Sequence, residues 1–212
     1  FILTACAGTG SQKTGSEFSR QASIESYEQA LVAYRKDNTM TAMQQARLSI
    51  EQDANNWRSH ELLGLLTNKL GQNETADTHF QTALRINPSD PGLLNNYGTV
   101  LCQRKAYAAA QENFKLAMQN AENPRPEIAS LNAGLCALQS DEAGTAKGHF
   151  EQALEFAPNN PIPRYQLAKL MLRDGNRLAA NRNLEQYLEH ATHTPKTLLL
   201  GAQIETALGN PA

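Results

Sequence analysis

The sequence of 212 residues has few aromatic residues and no large excess of charge of either sign. Aromatic residues make up 6% of the chain, and 19 Lys and Arg against 21 Asp and Glu leave a formal net charge of −2. A nucleic-acid-binding protein is expected to carry a basic patch, so this balance argues against one. Apolar residues make up 41%, with Ala and Leu plentiful, a mix that favours helices approaching closely on small side chains.

Catalytic motifs and long apolar runs are also missing. The sequence has no P-loop and no G-x-S-x-G, H-E-x-x-H or G-x-G-x-x-G pattern, and Gly8-Thr9-Gly10 lacks the third glycine. No apolar run approaches the ~18 residues that a transmembrane helix needs. We therefore expect a protein without enzymatic activity, cofactor, metal or small-molecule substrate.

The first residues form a short apolar run that ends at a cysteine. Leu3-Thr4-Ala5-Cys6 resembles a bacterial lipobox, in which the cysteine becomes the lipidated first residue of the mature protein. Residues 1–6 are therefore interpreted as residual signal peptide, and Cys6 as the site of lipid attachment, where several acyl chains give stable anchoring. The same resemblance implies transfer to the outer membrane, because Ala7 rather than Asp follows the cysteine. Residues 7–22, rich in Gly, Ser and Thr, are predicted to be a flexible tether.

From about residue 23 the sequence repeats with a period of 34 residues. One series of small residues has intervals of 34, 34, 36, 34 and 34: Ala30, Gly64, Gly98, Gly134, Ala168 and Ala202. Two further series keep these intervals: Ala42, Ala76, Ala110, Ala146 and Ala180, and Ala46, Phe80, Phe114, Phe150 and Leu184. The two additional residues fall at one place, within residues 121–126. Series that share one period and one insertion indicate a repeat architecture.

Each repeat is predicted to be a pair of helices, because its small and large apolar residues recur at helical spacing. Turns are predicted at Gly71, Lys105, Asp141, Gly175 and Gly209. The pattern resembles the tetratricopeptide repeat, with repeats at 23–56, 57–90, 91–126, 127–160 and 161–194 and a partial sixth from residue 195. The fold class implied for residues 23–212 is all-α, a right-handed superhelical solenoid in which stacked pairs bury a shared core.

The same resemblance implies a concave groove lined by the first helix of each repeat. The residues predicted to face it are Ile24, Tyr27, Leu31, Tyr34, Arg58, Glu61, Leu65, Asn68, Asn95, Thr99, Leu131, Leu135, Leu138, Tyr165 and Lys169. One interpretation is that an amphipathic segment of a partner protein lies along this groove. The other is that the superhelix curls and these residues pack on each other.

The remaining cysteines and the histidines each have a structural interpretation. Cys102 and Cys136 lie in the first helices of neighbouring repeats, so they are candidates for a disulfide in an oxidising compartment; the alternative is two small buried hydrophobic residues. His79 and His149 occupy the same repeat position before a core Phe, which indicates repeat architecture and not metal binding. His190, near a predicted helix end, is interpreted as complementing the helix dipole.

Three strings give a more specific resemblance: LNNYGTVLC at residues 94–102, NAGLCA at 132–137 and LLLGAQIETALG at 198–209. With the lipobox, they resemble the type IV pilus biogenesis lipoproteins, the secretin pilotins of Gram-negative bacteria. The resemblance implies a lipoprotein on the periplasmic face of the outer membrane that helps the pilus secretin reach that membrane and form multimers. The alternative is a periplasmic adaptor lipoprotein that docks a protease or a cell-wall enzyme.

Overall fold

The structure is a computed structural model that describes residues 9–209, with side chains from residue 15 onward. Within this range the chain forms eleven α-helices and no strand. The helices are α1 Thr9–Arg35, α2 Thr39–Gln52, α3 Trp57–Lys69, α4 Asn73–Ile86, α5 Pro91–Gln103, α6 Tyr107–Gln119, α7 Pro126–Gln139, α8 Ala143–Phe156, α9 Pro161–Arg173, α10 Arg177–Leu188 and α11 Pro195–Leu208.

The helices follow the predicted repeats closely. Five pairs, from α1 with α2 to α9 with α10, are followed by α11 as the first helix of a sixth repeat. The turn within each repeat contains one residue in the left-handed region, and five of these are the predicted ones: Gly71, Lys105, Asp141, Gly175 and Gly209, with φ of 75°, 63°, 59°, 77° and 93°. Asp37, with φ 56°, fills this role in the first repeat. The prediction of an all-α repeat fold is confirmed.

The small residues of the repeat allow close contact between the two helices of a pair. A Cβ atom added at Gly64 would come within 2.8 Å of the ring of Phe80 in the following helix. The same would hold for Gly134 and Phe150, at 2.6 Å. Both rings are 0% exposed, so each glycine provides the space into which a core phenylalanine fits.

The chain divides into two compact units, residues 1–93 and residues 94–212, here called the N-terminal and C-terminal units. The core of the N-terminal unit is a cluster of buried residues: Ala30, Ala33, Ala42, Met43, Ala46, Leu62, Leu63 and Leu66. The C-terminal unit has three such clusters, which include Phe114, Phe150 and Leu184. The burial of these residues matches the apolar series read from the sequence.

The structure differs from the predicted flexible tether over residues 7–22, because α1 already begins at Thr9 and is 27 residues long. Two contacts hold the adjoining part of α1 beside α2 and the residue that follows it. Arg20 lies 3.9 Å from the carboxylate of Asp53, and Ser23 is hydrogen-bonded to Ser49 of α2. With this part of α1 fixed, each preceding residue adds one backbone hydrogen bond to an existing helix. The predicted lipidation site, Cys6, lies outside the described residues.

No helix in the described range combines the length and the apolar character needed to cross a membrane. The longest, α1, carries polar and charged residues along its whole length.

Candidate protein-binding surface

The predicted groove residues of the N-terminal unit lie on α1 and α3. This set, called the N-terminal face, comprises Ile24, Tyr27, Leu31, Tyr34, Arg58, Glu61, Leu65 and Asn68. None of these side chains is fully buried. Ile24 and Tyr34 are 41% and 40% exposed, whereas Tyr27 and Leu31 pack partly against the core. The face therefore combines accessible apolar side chains with side chains that the core holds in place.

Charged side chains of α3 shift the pKa of Tyr27 in α1 across the N-terminal face. Burial raises the pKa of the Tyr27 hydroxyl above its ordinary value, and the carboxylate of Glu61 raises it further, while Arg58 acts in the opposite direction. Tyr27 is therefore a protonated hydrogen-bond donor at neutral pH. The guanidinium of Arg58 lies 4.4 Å from the centroid of the Trp57 ring, an arrangement that restricts it beside the face.

The predicted groove residues of the C-terminal unit lie on α5, α7 and α9. This set, called the C-terminal face, comprises Asn95, Thr99, Leu131, Leu135, Leu138, Tyr165 and Lys169. Again, none is fully buried. The three leucines pack partly against the core cluster that contains Phe150, and the ammonium of Lys169 lies 5.6 Å from the centroid of the Tyr165 ring.

Asn132 belongs to the C-terminal face although the repeat positions did not predict it. Its Nδ2 donates a hydrogen bond of 2.9 Å to Oδ1 of Asn95, which joins α7 to α5. The hydroxyl of Thr99 donates to the backbone carbonyl of Asn95 at 2.9 Å, a bond within α5. The recurrence of Asn two residues before Gly, at Asn96 and Asn132, did not indicate this bond, because the partner of Asn132 is Asn95.

Cys102 of α5 and Cys136 of α7 are joined by a disulfide in the structure. Their Cα atoms are 5.8 Å apart, within the usual range for such a bond. The two residues are also 4% and 1% exposed. Of the two alternatives that the sequence left open, the structure has the bridge, and both bridged residues are buried.

Histidine 79 has a partner that sequence reasoning missed. Nδ1 of His79 lies 3.2 Å from Nδ1 of His60 in α3, and burial lowers the pKa of both imidazoles. A hydrogen bond between two ring nitrogens requires that one of them be unprotonated. Within residues 9–209, no group of three or more His, Cys, Asp or Glu side chains is placed to hold a metal ion.

A buried hydroxyl cluster in the N-terminal unit was also missed. Ser23 and Ser49 each donate to the other's backbone carbonyl at 2.8 Å, and Ser59 donates to the hydroxyl of Ser49 at 2.7 Å. Nδ2 of Asn56 donates to the hydroxyls of Ser23 and Ser49, at 2.9 and 3.0 Å. The cluster ties α1, α2 and α3 together. Its only sequence signal is that Ser49 stands where the next three repeats have Ala83, Ala117 and Ala153.

Helix pairs with a period of 34 residues and glycine–phenylalanine contacts define a tetratricopeptide-repeat solenoid. A model of the tetratricopeptide repeat family matches residues 58–90. Beyond this match, the chain is similar to type IV pilus assembly proteins. It is 26% identical to the type IV pilus assembly protein PilF of Pseudomonas aeruginosa over 204 residues, which cover 95% of this chain and 81% of the relative.

Solved structures agree with this relationship. The crystal structure of PilW, described as a widely conserved type IV pilus biogenesis factor, matches with a TM-score of 0.77 and 27% identity over 90% of this chain and 87% of PilW. The structure of Pseudomonas aeruginosa PilF has a TM-score of 0.80 over 92% of this chain and 87% of that one, and its 24% identity supports the fold alone.

Proposed function

We propose that this protein is an outer-membrane lipoprotein of type IV pilus biogenesis that binds the pilus secretin and promotes its assembly into multimers. The observation that carries the proposal is the likeness to a type IV pilus assembly protein at 26% identity over 95% of this chain. The match spans both units, so it concerns the whole arrangement of repeats.

The mechanism is delivery by tethering. Acyl chains on Cys6 specify the membrane, and the solenoid binds a secretin subunit through its accessible faces. Holding subunits at the outer membrane raises their local concentration, which favours ring assembly without any new contact between them. In this mechanism the protein acts by binding alone, and it requires no cofactor.

The N-terminal face is suited to bind a partner protein. It presents Tyr27 and Tyr34 with Arg58, and tyrosine and arginine are the residue types that contribute most to protein interfaces. The core already holds Tyr27 and Leu31 in place, so binding would restrict few additional side chains. An apolar face of the secretin segment would complement Ile24.

Substitution on this face should weaken binding of the purified periplasmic part of the secretin. The variant Ile24→Ala/Tyr34→Ala removes side chains that are 41% and 40% exposed, so its fold should persist. We expect affinity to fall about tenfold or more, as for central interface residues. Val32→Ala is the matched control, since Val32 is 50% exposed on the same helix but outside the face. If the wild type and the double variant bind with equal affinity, the secretin does not bind at the N-terminal face.

Experiments in the bacterium test the wider proposal. Deleting the gene should leave little heat-stable secretin multimer in the outer membrane and should abolish twitching motility, and Cys6→Ser should release the protein from the membrane fraction. Secretin multimers that still form in the outer membrane without the gene would contradict the proposal. Capture of a protease or a cell-wall enzyme, in place of the secretin, from envelope extracts would favour the adaptor alternative.

A further inference from the structure

His60 of α3 and His79 of α4 lie side by side in the second repeat. Their Nδ1 atoms are 3.2 Å apart, and their ring centroids are 5.5 Å apart with the ring planes inclined at 42°. A neutral imidazole carries a proton on one nitrogen and an electron pair on the other. The two rings therefore bring two nitrogens that can bind a metal ion to one point between two helices.

The separation of the two Nδ1 atoms matches that of two ligands on one metal ion. Bonds from imidazole nitrogen to zinc are about 2.0–2.1 Å long. Two such bonds whose outer ends are 3.2 Å apart form an angle of about 100–106° at the metal, between the angles of octahedral and tetrahedral coordination. Rotation of the two rings, with both protons on Nε2, would direct both electron pairs at one ion without moving either helix.

Surrounding contacts restrict the two rings. Both imidazoles are half-buried, and the ring of His60 is hydrogen-bonded to the backbone of Ala54. A hydrogen bond of this kind orients the ring of a histidine that binds metal. Metal binding would therefore restrict little additional side-chain freedom.

We propose that His60 and His79 bind one divalent transition-metal ion, of the class of Cu²⁺, Ni²⁺ and Zn²⁺, through their Nδ1 atoms. Imidazole is a common ligand of these ions, and the bound ion would link α3 to α4. Water would complete the coordination, because the part of the chain that the structure describes has no group of three or more His, Cys, Asp or Glu side chains suited to hold a metal ion. Of the three ions, Cu²⁺ should bind most tightly.

Two arginines act on this site. Burial lowers the pKa of both imidazoles, and the charges of Arg85 on His60 and of Arg47 on His79 act in the same direction. These charges favour the neutral imidazole, which is the form that binds metal, but they also repel the ion. We therefore expect weaker binding than at a site with three or four protein ligands.

His149 provides a matched comparison within the same chain. It occupies the position of His79 in the fourth repeat, and it is likewise half-buried. The position that corresponds to His60 is Ser130, whose hydroxyl donates to the backbone carbonyl of His149 at 2.9 Å. His149 therefore shares the repeat position of His79 without the second imidazole, so it should bind metal far more weakly.

Isothermal titration calorimetry with Cu²⁺ and with Zn²⁺ tests the site. The protein is the full chain with Cys6→Ser, which removes a competing thiol, and it carries no histidine tag. His60→Gln and His79→Gln should each lower affinity at least tenfold, because a single imidazole cannot chelate the ion. His149→Gln should leave affinity unchanged, and circular dichroism melting without metal checks the fold of each variant.

His190 and His193 form the competing site, because they lie three residues apart just after α10. The remaining measurements therefore use the Cys6→Ser protein with His190→Gln/His193→Gln, in which His60 and His79 are intact. Pulsed electron paramagnetic resonance of bound Cu²⁺ should detect the remote nitrogens of two imidazoles. Zn²⁺ at a free concentration about tenfold above its dissociation constant should raise the midpoint of thermal unfolding by about 3–5 °C.

Three outcomes would overturn the inference. They are the absence of metal binding up to millimolar concentration, unchanged affinity in both His60→Gln and His79→Gln, and a resonance spectrum with only one imidazole. The site does not rest on the proposed function, so each of these results leaves secretin binding untouched. Equally, a protein that binds no secretin could still bind the metal ion at this pair.

Discussion

The ring of Phe150 lies so close to Gly134 that a Cβ atom added at the glycine would be 2.6 Å from Cε1 of the ring. Phe150 is 0% exposed, so its ring has no space into which to move. The close approach of α7 and α8 therefore depends on the absence of one carbon atom.

Gly134→Ala should destabilise the protein, although Ala is the better helix former. Overpacking of a core typically costs about 1–3 kcal/mol, more than the ~1 kcal/mol that helix propensity returns. Urea unfolding followed by circular dichroism measures the difference. Gly148→Ala in α8 is the control, because nothing lies within 4 Å of a Cβ added there, and it should be neutral or stabilising. A Gly134→Ala variant as stable as the wild type would show that the two helices separate without penalty.

Ser49→Ala should destabilise the N-terminal unit, although the next three repeats have Ala at this position. The substitution leaves the buried hydroxyl of Ser59 without its acceptor and removes one of the two acceptors of the Asn56 amide. Unsatisfied buried polar groups cost about 1–3 kcal/mol each. The free energy of unfolding in urea is again the measurement. Ser19→Ala, at an exposed position of α1, should change little, and a stabilised Ser49→Ala variant would show that repeat consensus outweighs the hydroxyl cluster.

Lys105→Gly should stabilise the C-terminal unit. Lys105 has φ of 63°, and the left-handed conformation costs an L-residue roughly 1–2 kcal/mol. Glycine adopts it freely but loses about 0.4–1 kcal/mol through the greater freedom of the unfolded chain, so a net gain near 0.5–1 kcal/mol is expected. The reverse change, Gly175→Ala, where φ is 77°, should lower the midpoint of thermal unfolding. If both variants have the same midpoint of thermal unfolding as the wild type, the left-handed conformation costs a residue other than glycine no measurable stability in these turns.

Stability should fall as the pH decreases through the titration range of the histidines. Burial lowers the folded-state pKa of His60, His79 and His149, whereas each titrates at about 6.5 in the unfolded chain. The unfolded state therefore binds more protons below about pH 6.5, so stability present at higher pH is lost as the pH falls. Urea midpoints at pH 7.5, 6.5 and 5.5 measure this effect.

The pair of His60 and His79 should account for part of this slope. His60→Gln/His79→Gln is expected to flatten the dependence of the urea midpoint on pH, because neither glutamine takes up a proton. His193→Gln, at an exposed position near the end of the chain, is the control. An unchanged slope in the double variant would mean that other groups cause the acid sensitivity.

The period of the sequence predicted where helices begin and end, because prolines and turn residues recur with it. Helices α5 and α9 begin at Pro91 and Pro161, the first residues of predicted repeats, and α11 begins at Pro195. Subtracting the period of 34 residues from Gly71 gives position 37, and the structure places Asp37 in the left-handed region. Local chemistry sufficed here, since proline fits the first turn of a helix but not its interior, and Gly and Asp tolerate the left-handed conformation of a turn.

Contacts between residues at different repeat positions could not be predicted in this way. The bond of Asn95 with Asn132 and the approach of His60 to His79 join side chains from helices whose relative rotation the period does not specify. The extension of α1 was missed because Gly, Ser and Thr favour a coil locally, whereas the contact of Arg20 with Asp53 acts from a distance along the chain.

The disulfide has a mechanical consequence. Cys102 and Cys136 are 34 residues apart, so the bond closes a loop that contains the whole of α6. When the ends of the protein are pulled apart, tension passes through the two sulfur atoms and bypasses this loop. At about 3.3 Å per extended residue, the oxidised protein should lengthen by roughly 110 Å less than the reduced protein before it is fully stretched.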